Sequence, residues 1–159
     1  MISSIILDKH LDYPAVEAEL KTLFPKLVFA ERVDDEFAPN GEYISVSVTH
    51  TGRQFDTQII FWDFPGGGTG EREIFIARKL CHAFSAAAIV EAEIDDEDWH
   101  DDSAVFVYDN KLYAIDTEDI EEDDFLPVPE WEIMIDIRKF DAEGLPVEVP
   151  KAPRKKGNR

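Results

Sequence analysis

Residues 93–102, EIDDEDWHDD, place seven carboxylates, one tryptophan and one histidine in ten consecutive positions. Side chains of these types do three kinds of chemistry: they chelate cations, share protons between paired carboxyls, or present a field of negative charge. The twelve-residue calcium loop takes oxygen ligands at alternating places and needs a glycine at its sixth place for a sharp bend. Asp96, Asp98 and His100 match the first three ligand places of that frame, but Asp101 stands where the glycine is required. Zinc calls for converging imidazoles and thiolates, and His100 has no second histidine or cysteine near it in the sequence. No designed metal site and no cofactor are therefore expected, here or elsewhere in the chain. Acid–base catalysis needs two carboxyls in unlike surroundings so that their pKa values separate, whereas adjacent solvated acids are nearly equivalent. The chemistry that remains is the charge itself.

That charge is confined. Residues 91–124 hold sixteen Asp and Glu against one Lys, out of a net charge of -19 for the whole chain. A second acidic run, EDIEEDD (118–124), follows a hairpin-like stretch, AVFVYDNKLYAI (104–115), in which Asp109 and Asn110 tolerate the left-handed backbone of a tight turn. Strands joined by a short turn start and finish at one end of a sheet, so the two runs are expected to meet there. The expected docking face comprises Asp95, Asp96, Glu97, Asp98, Trp99, Asp101, Asp102, Glu118, Asp119, Glu121, Glu122, Asp123 and Asp124. Trp99 has two readings: an aromatic anchor for a partner, or a side chain that folds back to close the loop on the core.

Other candidates are weaker. GGGTGERE (66–73) lacks the Gly-Lys-Ser/Thr ending of a P-loop and the spacing of a dinucleotide turn, and Glu71 and Glu73 would repel phosphate. These acids suit a helix N-terminus instead. Cys81 and His82 are neighbours in sequence but point apart on a helix, which makes a poor nucleophile and base. Cys81 reads as a small core residue, and His10 and His50 carry no local motif.

The elements that must position the acidic face can be read from periodicity. Residues 2–7 read as a strand, and Asp12 with Pro14 marks a helix start whose Val16, Leu20, Leu23 and Phe24 share a face until Pro25. Residues 26–33 read as a strand. A hairpin around Thr51 and Gly52 sets Ile44, Val46 and Val48 against Phe55, Thr57, Ile59 and Phe61. A second helix of about 13 residues turns Ile74, Ala77, Cys81 and Phe84 inward. Strands follow at 87–94, 104–108 and 111–115, and at 131–137 with Trp131, Ile133, Ile135 and Ile137 in register. The sum is an α+β domain, a mainly antiparallel sheet with two helices packed on it, spanning residues 1–140. Residues 141–159, with Pro146, Pro150, Pro153 and five basic groups in the last nine positions, read as a flexible tail.

Length and composition agree with one folded domain, because a chain of 159 residues with 44% hydrophobic residues is too apolar to stay disordered despite its acidity. The single cysteine forms no internal disulfide, and no signal peptide or long apolar span is present, so a cytoplasmic location is expected.

A helix such as EREIFIARKLCHAF, an acidic turn such as EIDDEDWHDD and a short hairpin such as AVFVYDNKLYAI, together over about residues 60–120, resemble the small acidic immunity proteins that bacteria pair with secreted polymorphic or contact-delivered toxins. Such families each recognise their own toxin through their own surface, so the resemblance carries over no individual residue. It implies a cytoplasmic antidote that covers a cationic active site. The expected function is thus protein-binding inhibition of a basic partner, with no catalysis, no direct contact to nucleic acid and no membrane. The alternatives are a nucleic-acid mimic that occupies a DNA-binding protein, and an enzyme of undescribed type.

Overall fold

The computed structural model describes residues 2–32, 43–62, 64, 70–92, 94, 98–100, 103–117, 129–134 and 139–147. In chain order these form β1 (Ile2–Leu7), α1 (Tyr13–Leu23), β2 (Phe29–Glu31), β3 (Ile44–His50), β4 (Thr57–Trp62), α2 (Glu71–Phe84), β5 (Ala88–Val90), β6 (Ser103–Tyr108), β7 (Lys111–Asp116) and β8 (Trp131–Glu132). The strands make one sheet in the order β2-β3-β4-β1-β5-β6-β7-β8. Every described pairing is antiparallel except β2 with β3. The fold is α+β.

Period-two alternation decides which side chains meet. Ile5 faces Ile59 on β4 and Val90 on β5, and Val46 and Phe61 are paired on the same face. Both helices lie on that face: Val16, Leu20 and Phe24 from α1, and Ile74, Ile76, Ala77 and Leu80 from α2, join Ile5, Leu7, Phe61, Val90 and Val105 in one core. Burying each of the larger side chains among these contributes about 1.5–3 kcal/mol. The opposite face carries a smaller cluster of Phe55, Ala87, Ile89, Ala104, Phe106 and Ile115. Phe55, expected beside Thr57, Ile59 and Phe61, belongs to this second cluster, because it lies in the connection before β4 starts at Thr57 and is outside the strand's alternation.

Local chemistry sets the ends. Asp12 has the extended backbone of an N-cap (φ -92°, ψ 159°) and its carbonyl accepts from the Ala15 and Val16 N–H groups, but its carboxylate caps nothing. Asp109 and Asn110 both have positive φ (49° and 63°), which gives the two-residue turn between β6 and β7 that the sequence predicts. The strands expected at 26–33 and 87–94 are only three residues each, β2 and β5. Of the strand expected at 131–137, only Trp131–Glu132 is observed as strand, and Ile135 and Ile137 lie outside the described residues.

Two charged residues are in the core. Arg72 and Glu73 are 5% and 0% exposed, their side chains 3.4 Å apart, with the Arg72 guanidinium stacked 3.8 Å over Phe64. Burial pushes the guanidinium below its ordinary pKa while Glu73 acts against that. Glu71 and Glu73 stand in the first turn of α2 as expected, and Glu73 is in addition buried beside Arg72.

The segment beyond residue 140 is not all tail. Phe140 bridges to Pro146 and packs on the core, the Lys26 N–H donates to the Ala142 carbonyl, and Gly144 (φ +76°) lies under Phe64 and Leu27. Residues 139–147 are thus part of the folded body, whereas 148–159 lie outside the described residues.

Gly144→Ala tests that docking. Its Cβ would sit 2.7 Å from Phe64 and at a strained backbone angle, so urea unfolding should show a loss of about 1–3 kcal/mol. A change within experimental error would mean that the segment does not pack as described. The buried pair gives a second test: in urea unfolding, the losses from Arg72→Met and Glu73→Leu taken singly should sum to more than the loss of the double variant, by about 0.5–3 kcal/mol, because the two side chains interact. Additive losses would show that the two side chains do not stabilise the core through one another.

Candidate functional site

The sheet has two ends of different character. β5 finishes at Val90, β6 starts at Ser103 opposite Asp116, and β7 finishes at that same Asp116. The acid-rich connections 91–102 and 117–130 therefore both begin and end at one end of the sheet, as the hairpin reading requires. The N-terminus of α2 arrives there too, since Gly70 lies against Ala92, so close that a Cβ on Gly70 would stand 2.5 Å from the Ala92 Cβ. Glu91 and Asp98 are exposed at this end. The positive end of the α2 dipole partly offsets the charge.

Of the expected docking residues, the described ones are Asp98 and Trp99. Asp98 is exposed, whereas Trp99 is part-buried and packs against the main core. Of its two readings, the loop-closing one describes this contact. Next to it, the His100 N–H donates to the Ser103 hydroxyl (3.2 Å) and the Ser103 N–H donates back to the His100 carbonyl (2.9 Å), tying the connection to the start of β6. Asp95, Asp96, Glu97, Asp101, Asp102, Glu118, Asp119, Glu121, Glu122, Asp123 and Asp124 lie outside the described residues.

The other end gathers groups that sequence reasoning passed over. β1 runs out into the connection 8–12, and the buried Thr57 hydroxyl clamps it by donating to the Lys9 carbonyl (2.5 Å) and accepting from the Leu11 N–H (2.9 Å). His10 and Asp12 are thereby held beside His50, the last residue of β3. The two imidazoles stack with centroids 4.0 Å apart. His10 Nδ1 is 2.6 Å from the Asp56 carboxylate, and His50 Nε2 is 2.7 Å from the Leu11 carbonyl. The hydrogen bond from His10, and then that from the Gly52 N–H, hold the Asp56 carboxyl below the usual range. No local motif pointed to this cluster because its members come from positions 10, 12, 50 and 56, which only strand register brings together.

Beside it, between the C-terminal half of α2 and the β6–β7 turn, lies an open groove of about 500 Å³ lined by Asp8, Arg78, Cys81, His82, Tyr108 and Asn110, among others. Asp8 accepts from the Ala87 N–H (2.8 Å), and Arg78 donates to the Asn110 side chain (3.3 Å). Burial, and then the charge of Asp8, push the Cys81 thiol up to about 12. At neutral pH it is a thiol, and it packs on the core as expected.

Among the described residues no helix is long and apolar enough to cross a membrane. A scan against protein-family profiles found no match, and searches of curated proteins and of solved structures returned none.

The Cys81 reading is checked by alkylation. In the folded chain at pH 8, iodoacetamide should modify it at least tenfold more slowly than a free-thiol reference, because a raised pKa leaves little thiolate, and denaturant should abolish the difference. Rapid labelling of the folded chain would make Cys81 an activated nucleophile.

Proposed function

We propose that the protein is a protein-binding inhibitor that docks on a basic partner through the acidic end of its sheet. Its most concrete form is a cytoplasmic immunity protein that neutralises a cognate bacterial toxin, such as a nuclease. The observation that carries this reading is the pairing of Ser103 with Asp116, which roots both acid-rich connections at one end of one sheet. Sixteen acids between residues 91 and 124 repel one another and oppose folding, beyond the net charge of about 2 to 8 that keeps a small domain soluble. A concentrated field of one sign has a use in association, where it steers a partner of opposite sign and raises the encounter rate from about 10⁵–10⁶ toward 10⁸–10⁹ M⁻¹s⁻¹. Trp99 serves this face by fixing the acidic connection to the core, which lowers the entropy lost when a partner binds.

With the partner isolated by pull-down from the native host, changing Asp95, Asp96, Asp98, Asp101 and Asp102 to Asn should slow association strongly at low salt and little at high salt. Added ions screen steering over about 10 Å at 0.1 M. The same variant should melt at or above the parent temperature, since repulsion is relieved. Trp99→Ala should instead raise the dissociation rate with little salt dependence and lower stability by about 0.5–3 kcal/mol. Unchanged association of the Asn variant at low salt would make the acidic end a solvated surface and end this assignment.

A further inference from the structure

We propose that His10, Asp12 and His50 form a binding site for a divalent transition-metal cation of the zinc class, at the end of the sheet opposite the acidic connections. One ring nitrogen from each histidine and one carboxylate oxygen of Asp12 lie within 4.8 Å of one another. Imidazole and carboxylate are the donor types that zinc takes, and three protein ligands leave one tetrahedral position open.

The hydrogen bonds decide which nitrogens are offered. A carbonyl oxygen only accepts, so His50 Nε2, 2.7 Å from the Leu11 carbonyl, carries the proton, and the lone pair of the neutral ring is on Nδ1. Likewise the ionised Asp56 carboxylate, 2.6 Å from His10 Nδ1, fixes the proton there and leaves the lone pair on Nε2, which faces Asp12 Oδ1 at 3.7 Å. A carboxylate or a backbone carbonyl behind each ring is the outer shell that metal-bound histidines have, since it sets the tautomer and raises ligand basicity. Asp56 is itself held by the Gly52 N–H at 2.8 Å, and the Thr57 clamp fixes the connection that carries His10 and Asp12. A purely structural role for these hydrogen bonds accounts for only one nitrogen of each ring. Two acids flanking two imidazoles also favour a cation electrostatically.

Closure requires a defined movement. Ligand atoms at about 2.0–2.1 Å from zinc stand about 3.3 Å apart, closer than the 4.8 Å within which the donor atoms of the cluster lie, so the side chains must draw together. The rings are nearly parallel, 19° between planes, and must splay, because a metal lies in the plane of each imidazole that binds it. All three side chains are exposed, which leaves room for that rotation.

The test is calorimetric titration of the full chain with zinc chloride in excess magnesium, which occupies the acidic connections without competing for imidazole. One zinc per chain at micromolar affinity is expected. His10→Gln, His50→Gln and Asp12→Asn should each weaken binding at least tenfold. Asp56→Asn, which keeps the hydrogen bond but loses the charge, should weaken it about 10- to 100-fold. His82→Gln and His100→Gln should leave it unchanged. In the unaltered chain, zinc should shift the ring NMR signals of His10 and His50 and not those of His82 and His100, a readout that does not depend on any variant folding. Weak multi-site binding that magnesium displaces, or a tight isotherm that survives the His10 and His50 substitutions, would overturn the assignment.

Discussion

The structure depends on the double ladder made by β1. It pairs antiparallel with β4 over six positions and with β5 over three, and no other described strand joins the two halves of the sheet. Without it the strands fall into a set of three, β2-β3-β4, and a set of four, β5-β6-β7-β8, each with an open edge that would seek another chain. Ile5 and Leu7 are wholly buried and extend the core of one half into the other. This pairing joins residues far apart in sequence, Ile5 with Ile59 and Val90, so the ladder forms only after long loops have closed.

The same ladder gives the molecule its polarity. Once β1 is fixed antiparallel to both neighbours, the starts of β1, β3 and β6 and the finishes of β4, β5 and β7 come to one end, while the residues after β1 and β3 and before β4 come to the other. The acid-rich connections leave the strands at the first end, and the paired imidazoles stand at the second. The short connection within each hairpin leaves no freedom to exchange them. Each end thus inherits its composition from which loops the strand directions place there.

What the sequence made readable was what depends on neighbours along the chain. Alternation located β3 and β4, apolar runs located β1, β6 and β7, and the left-handed tolerance of Asp109 and Asn110 located the hairpin between β6 and β7. That hairpin alone was enough to place the start of β6 and the finish of β7 at one end of the sheet. What it hid depended on distant partners. Arg72 and Glu73 look like solvent-facing helix positions until Phe64 covers the guanidinium. Phe55 looks like a strand residue until the longer connection turns it to the other face. Proline and basic residues marked the chain end as tail, yet Gly144 reaches a backbone angle that lets residues 139–147 return to Phe64 and Leu27. The histidines were silent for the same reason: forty residues separate His10 from His50, and only the register of β3, β4 and β1 stacks them.

The two ends act as separate surfaces, and the length of β1 explains why. Six extended residues span about 20 Å, more than twice the screening length of about 8 Å at physiological salt. A cation held by His10, Asp12 and His50 is therefore screened about tenfold before its field reaches the connections around Asp98, where the local charge is far larger in any case. Through-space electrostatics cannot link the two ends. Mechanical coupling would have to pass along β1 or α2, and both are fixed by buried contacts on the helix-bearing face, Ile5 and Leu7 in one and Ile74, Ala77 and Leu80 in the other. Coupling of one end to the other would therefore require those close-packed contacts to rearrange, which dense packing opposes.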